Sequence, residues 1–169
     1  MTGSGDNGAK VRVIGLGNDF RGDDAIGLEV ARIVAARTQA AEAVVGVADG
    51  SLLLHLWTEL PLCIVVDCAV SGKTPGTIHV LDGLADHMPR NLFSSFSTHA
   101  YSIPSAIELG RNLNQMPVQL TVYGIEGDSF ACGKPISAAV RRAGERVVER
   151  ILAEIDAHLR SHEPVPAGT

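Results

Sequence analysis

Apolar runs and amphipathic segments alternate along the chain, and this alternation predicts strands that alternate with helices. Short, nearly continuous apolar runs such as "VRVIGLG" and "LCIVVD" are typical of strands that are buried on both faces. Apolar residues spaced by three and four positions indicate amphipathic helices. The predicted strands cover residues 11–17, 43–49, 62–67, 77–82 and 118–126. The predicted helices cover residues 25–37, 51–60, 102–114 and 135–160.

This order of elements predicts the fold class. A chain in which strands and helices take turns forms an α/β fold, and here a three-layer sandwich with a mostly parallel, twisted sheet of about five strands and helices on both faces. Residues 77–82 alternate like an edge strand. We expect a single domain over residues 10–160, with disordered tails at 1–9 and 161–169.

Composition narrows the class of protein. The net charge of −5 and the pI of about 5.6 argue against nucleic acid or an anionic membrane as partner. No apolar run is long enough for a transmembrane helix, and the first residues lack a secretory signal. Three cysteines suit a reducing cytoplasm, where we expect a monomer. Cys63 and Cys68, five positions apart, should lie on opposite faces of a strand as buried, inert thiols.

The loops that follow the strands are the places to search for a site, because ligands of such folds collect at the carboxyl ends of the strands. "VIGLGNDFRGDD" at 13–24 begins like a phosphate-binding loop. Gly15 and Gly17 fit the first two glycines of a dinucleotide fingerprint, and Asp49 could hold a ribose. The third glycine position is Phe20, so we expect the close helix–strand approach to be lost. Asp23 and Asp24 would also repel a phosphate at the helix terminus.

A metal site is the second interpretation. Asp24 ends the first loop, and Asp67 ends a strand that should neighbour the first one. Carboxylates grouped in this way favour a cation between them, and a nitrogen ligand would favour zinc or nickel. His99, in the polar stretch "SSFSTHAYS", is the best candidate for that ligand. The alternatives are a helix cap for Asp24, a backbone hydrogen-bond acceptor for Asp67 and a surface histidine for His99. Asp23 is predicted as the helix cap.

At this point several segments resemble one known family, the hydrogenase maturation proteases. "GLGNDFRGDDAIG" is similar to their opening G-[IVL]-G-N-x4-D-[DE]-x-x-G signature, and "ADG" at 48–50 to their acidic turn. "IVVDCAVSGKTPGTI", "STHAYSIPSAIEL" and "VYGIE" resemble later segments in the same order. The resemblance covers about residues 11–155.

The resemblance implies a function. These enzymes are endopeptidases that remove a C-terminal extension from the large subunit of a nickel–iron hydrogenase after nickel insertion. Their metal-binding residues fall on Asp24, Asp67 and His99, with Asp49 as a further catalytic candidate. The implied cofactor is nickel carried by the precursor, for which zinc or cadmium could substitute. A metal-binding assembly chaperone without proteolysis and a nucleotide-binding module remain as alternatives.

Some residues depart from the family pattern. Cys68 stands where alanine is common, and Gly127 replaces the usual proline after "GIE". Asp24 stands where some members have glutamate. We predict that the stretch 83–98 borders the cleft and contacts the large subunit, with Met88, Leu92, Phe93 and Phe96 exposed among polar residues. The alternative is a loop that packs its own aromatic residues.

Overall fold

A computed structural model describes residues 10–47, 51–85, 87–93 and 102–162. Its elements follow the predicted order. The strands are β1 (Val11–Gly15), β2 (Ala41–Val45), β3 (Leu62–Ala69), β4 (Ile78–Asp82) and β5 (Leu120–Glu126). The helices are α1 (Ile26–Arg37), α2 (Ser51–Trp57), α3 (Ile103–Leu113) and α4 (Ala138–His162), and a 3₁₀ turn (Gly22–Ala25) precedes α1. The predicted tail at 1–9 lies outside the described residues.

The five strands form one sheet in the order β2-β1-β3-β5-β4. The first four strands in this order run parallel, and β1 neighbours β3 as the sequence predicts. β4 pairs antiparallel with β5 at one edge of the sheet, which confirms the prediction of an edge strand. The carboxyl ends of β1, β3 and β5 therefore meet at the same edge, where a site is expected.

Side chains on the two faces of the sheet enter two separate cores. Ile64, Val66 and Cys68 pack on the face covered by α1 and α4. Cys63, Val65 and Ala69 pack on the opposite face, with residues of α2 and α3. The three-layer arrangement and the burial of both thiols on opposite faces are thus confirmed.

Local signals fix the ends of some helices. Ser102 caps α3, because its hydroxyl accepts the Ser105 N–H (3.4 Å), and Pro104 occupies the first turn. Asn114 ends α3 in the left-handed conformation. α4 ends at His162, two residues beyond the predicted boundary. Among the described residues, no helix combines the length and the apolar character needed to cross a membrane.

Candidate functional site

Asp24 lies in the 3₁₀ turn at the carboxyl end of β1. Its backbone N–H donates to the Arg21 carbonyl (3.1 Å), and its own carbonyl accepts the Asn18 N–H (3.3 Å). The N-cap of α1 is Ala25, and no side chain caps this helix. The prediction that Asp23 or Asp24 caps the helix is therefore wrong, because both residues belong to the 3₁₀ turn and lie two and one positions before the N-cap. Neither carboxylate is thus used as a cap of α1.

Asp67 lies within β3, in register with Gly124 of β5. Its Oδ1 accepts the Cys68 N–H (2.8 Å). The pKa of Asp67 is raised to about 7, mainly by burial and also by the negative charge of Asp24, against the lowering effect of the hydrogen bond from the Cys68 N–H. The two carboxylates are therefore close enough to disfavour each other's charge, and a cation between them would relieve that repulsion.

Two of the four predicted site residues cannot be placed in this geometry. Asp49 and His99 lie outside the described residues, so their roles stay predictions. Across the ranges that the structure describes, no three histidine, cysteine, aspartate or glutamate side chains come together as a set able to hold a metal ion. What the described chain supplies is a pair of oxygen donors at the carboxyl edge of two neighbouring strands, with Asp24 in the turn that follows β1 and Asp67 two residues before the end of β3. Such a pair fits part of a cation site.

Asp23, next to Asp24, holds two distant loops together. It is fully buried, and its Oδ2 accepts the backbone N–H groups of Asp128 (2.8 Å) and Ser129 (2.9 Å). Its Oδ1 accepts the Ser137 N–H (2.6 Å), and the Ser137 hydroxyl donates to Oδ2 (3.1 Å). The carboxylate thus fixes the 3₁₀ turn against the loop between β5 and α4. The adjacent pair Asp23 and Asp24 is the sequence feature that could have indicated this role. When one acid of such a pair faces the cleft, the other is left to bind the backbone.

Glu126 is a second buried acid at this edge, at the end of β5. It accepts the Ser71 N–H (2.7 Å), the Ser71 hydroxyl (2.8 Å) and the Gly72 N–H (2.9 Å), and it lies 3.1 Å from His79 Nε2. Burial alone would raise the pKa of Glu126, but the bonds from Ser71 and His79 outweigh burial and lower it. His79 belongs to the edge strand β4, and its partner Glu126 lies 47 positions away, so the sequence carried no signal for this pair.

Cys68 shows how densely acids collect here. Burial raises the pKa of its thiol, and so do the charges of four carboxylates. These are Asp67, Asp24, Asp23 and Glu126. The carboxyl edge of β1, β3 and β5 is therefore strongly acidic, which favours cationic over anionic ligands.

Gly27 brings α1 against the sheet. A Cβ on Gly27 would lie 2.3 Å from the Leu16 carbonyl oxygen and 2.4 Å from that of Val66. The predicted loss of the close helix–strand approach is thus wrong, since Gly27 provides the approach seven positions after Phe20. The acids that precede α1, and not a missing approach, are what disfavour a phosphate at this terminus.

In its described part, the predicted substrate-contact stretch 83–98 buries Leu92 and Phe93, while most of its other residues are exposed. Leu92 and Phe93 are only 6% and 7% exposed and pack in the core beneath α2 and α3. Met88 also packs against this core, and Phe96 lies outside the described residues. The prediction that Leu92 and Phe93 are exposed is wrong, because a β-bridge between Ala69 and Phe93 draws the segment onto the sheet.

The fold and its acidic edge define a class: a doubly wound α/β protein with a carboxylate site at the ends of its parallel strands. The family model described as "HycI: Hydrogenase maturation protease" matches residues 28–154, most of the chain. The chain therefore belongs to the hydrogenase maturation protease family. The matched segment includes Asp67 and His99 and begins four residues after Asp24.

Solved structures share this fold. The hydrogenase maturating endopeptidase HybD from E. coli has a TM-score of 0.75 at 24% identity, covering 88% of this chain and 93% of that one. An endopeptidase from Escherichia coli has a TM-score of 0.74 at 25% identity, covering 91% and 94%. The [NiFe] hydrogenase maturation protease HycI from Thermococcus kodakarensis has a TM-score of 0.61 at 22% identity, covering 87% of this chain and 92% of that one. No curated protein matches the chain in sequence.

Proposed function

We propose that the chain is an endopeptidase that removes the C-terminal extension of a nickel–iron hydrogenase large-subunit precursor after nickel insertion. Nickel held by the precursor is the recognition element, and Asp24, Asp67 and His99 are its contacts on the enzyme. The observation that carries the proposal is the pairing of Asp24 and Asp67 at the ends of adjacent strands, in a chain of this family.

The geometry of the carboxylates supports this role. Asp67 is fixed by its strand register and by the Cys68 N–H, while Asp24 is fixed by a turn that Asp23 ties to the loop before α4. Ligands on rigid elements hold a metal-bearing substrate in one orientation, which places the scissile peptide bond. Zinc or cadmium would fit the same donors in place of nickel.

The chemistry at the peptide bond follows from this placement. The bound metal supplies Lewis acidity at the scissile carbonyl or at the attacking water. Asp24 and Asp67 orient that centre, and Asp49 positions or deprotonates the water. The acidic edge also favours the cationic centre of the loaded precursor over the empty one, which explains why cleavage waits for nickel insertion.

The test is cleavage of nickel-loaded large-subunit precursors, followed by mass spectrometry of the shortened subunit. We expect wild type to release one C-terminal fragment and Asp67→Asn to be slower by roughly a hundredfold or more. Asp156→Asn, which changes an exposed acid on α4, is the matched control and should cleave like wild type. Equal rates for Asp67→Asn and wild type would remove the proposed ligand role, and equal cleavage of nickel-free precursor would remove nickel recognition.

Direct metal binding provides an independent test. Calorimetric titration with nickel, and with cadmium, should show one site per chain in wild type and none in His99→Ala. Binding that survives in His99→Ala would exclude His99 as a ligand. Metal binding by a chain that cleaves no nickel-loaded precursor would favour an assembly chaperone.

A further inference from the structure

Phe20 is an aromatic side chain that the fold keeps in water. Its side chain is 78% exposed, more than any other large hydrophobic residue in the described part of the chain. It lies in the loop between β1 and the 3₁₀ turn, four residues before Asp24. Burial of a phenylalanine side chain is strongly favourable, so an exposed position for Phe20 gives up stability of the fold.

The loop that presents Phe20 is anchored on both sides. The Phe20 N–H donates to Asn18 Oδ1 (2.9 Å), and the Phe20 carbonyl accepts the Gly133 N–H (2.9 Å). The adjacent Asp19 makes a two-pronged ion pair with Arg32 of α1, with both distances at 2.7 Å. The backbone at Phe20 is thus held in place while the ring points to solvent. Binding of a partner to the ring therefore costs little conformational entropy in this loop.

The position of Phe20 indicates which partner would cover it. The same loop carries Asp24, and the Gly133 contact joins it to the loop that Asp23 fixes beside the acidic edge. This loop therefore borders the edge that a polypeptide would approach if it brought a metal centre to Asp24 and Asp67. Val118, another well-exposed apolar residue (69%), precedes β5 and so lies at the opposite, amino end of the sheet.

We propose that Phe20 is a substrate anchor, which inserts into an apolar depression of the large-subunit precursor beside the peptide bond to be cut. This assignment rests on the proposed function and names a specificity-determining contact for it. The anchor takes over the contact role that the sequence assigned to Phe93. Buried aromatic anchors dominate protein–protein binding energy, and a single one supplies enough to decide which precursor is accepted.

The experiment compares wild type with three variants in cleavage of a nickel-loaded precursor that the wild type processes. Phe20→Ser should lower kcat/KM about tenfold or more, mainly through a higher KM, because the contact is made in both the bound and the reacting complex. Phe20→Leu should restore most of the activity. Val118→Ser, an apolar-to-serine change at another well-exposed position at the far end of the sheet, should leave both constants unchanged.

Any of the following outcomes would contradict the proposed role of Phe20 as a substrate anchor. Wild-type kcat/KM in Phe20→Ser, with cleavage intact, refutes the contact and leaves the proposed function standing. Failure of wild type to cleave any loaded precursor refutes the proposed function and the anchor with it. A lower melting temperature in Phe20→Ser but not in Val118→Ser would make the ring structural. A dimeric wild type that becomes monomeric in Phe20→Ser would assign the ring to self-association.

Discussion

Asp23 accepts the backbone N–H of Ser137 at 2.6 Å, a bond that joins residues 114 positions apart. With three further bonds, it makes one buried carboxylate the tie between the turn that carries Asp24 and the start of the last helix. Two adjacent aspartates thus have opposite tasks, since one faces the backbone of a distant loop and the other faces the acidic edge.

Asp23→Asn should destabilise the fold. An amide has one acceptor oxygen, so its NH₂ group would face backbone N–H donors that then lose their partner. We expect a loss of roughly 2–4 kcal/mol in the free energy of unfolding by urea, since hydrogen bonds to a charged group are worth about 1.5–3 kcal/mol. Asp128→Asn changes the exposed neighbour, which uses only its backbone N–H in this network, and should stay within about 0.5 kcal/mol. Similar losses in both variants would contradict the role of the buried carboxylate.

Glu126 should contribute stability that depends on pH. Its folded-state pKa is held below the ordinary 4.5, so the unfolded chain binds this proton first as the pH falls. The stabilisation is therefore fully present above about pH 4.5 and is lost as the pH falls through the folded-state value. Glu126→Gln should be less stable than wild type at pH 7 by about 1–3 kcal/mol.

The measurement is urea unfolding of wild type and Glu126→Gln between pH 3 and pH 7. The gap between the two proteins should narrow in the acid range, where the wild-type carboxylate becomes protonated. Glu145→Gln alters an exposed acid on α4 and should track wild type throughout. A difference in unfolding free energy that does not change with pH would show that Glu126 acts through packing alone and not through its charge.

Two departures from the family pattern lie in contact. A Cβ on Gly127 would lie 2.7 Å from Cys68 Sγ and 2.6 Å from Phe130 Cζ. The thiol therefore fills space that a larger residue at 127 would need, and the absence of a side chain at 127 accommodates the cysteine. We expect Gly127→Ala to cost about 1–3 kcal/mol, the usual range for overpacking.

A double-mutant cycle tests this contact. Cys68→Ala removes the Sγ atom, so Gly127→Ala should cost less in the Cys68→Ala background, with a coupling of about 1 kcal/mol. The Phe130 contact remains, and relief should therefore be partial. If the two free-energy changes in urea unfolding are strictly additive, the Cys68 thiol does not compete for space with a side chain at residue 127, and the proposal is contradicted.

Phe93→Ser should strongly destabilise the fold, because Phe93 is a core residue and not a surface contact. The side chain packs with Leu92 and Ile103 in the core under α2 and α3, and removing a buried phenylalanine typically costs about 3–5 kcal/mol. Thermal unfolding should show a much lower midpoint for Phe93→Ser than for Phe20→Ser, which changes an exposed ring. Equal midpoints would mean that Phe93 is not a core residue.

The layered fold can be predicted from the amino-acid sequence, because it depends on local periodicity. Consecutive apolar residues at 62–66 can only be satisfied by burial on both faces, and Ser102 followed by Pro104 specifies a helix start within four residues. The sequence also placed Asp24 and Asp67 at one edge, because parallel strands end together. These inferences need only near neighbours along the chain and the rules of sheet topology.

The tertiary structure alone decided how the acids and aromatics are used. Whether Asp23 or Asp24 turns inward depends on N–H groups more than 100 residues away, and the environment of Glu126 depends on Ser71 and His79. Burial of Phe93 and exposure of Phe20 likewise follow from which segments the sheet and its loops bring together. Hydrogen-bond partners and solvent exposure are set by long-range packing, and residue type alone does not encode them.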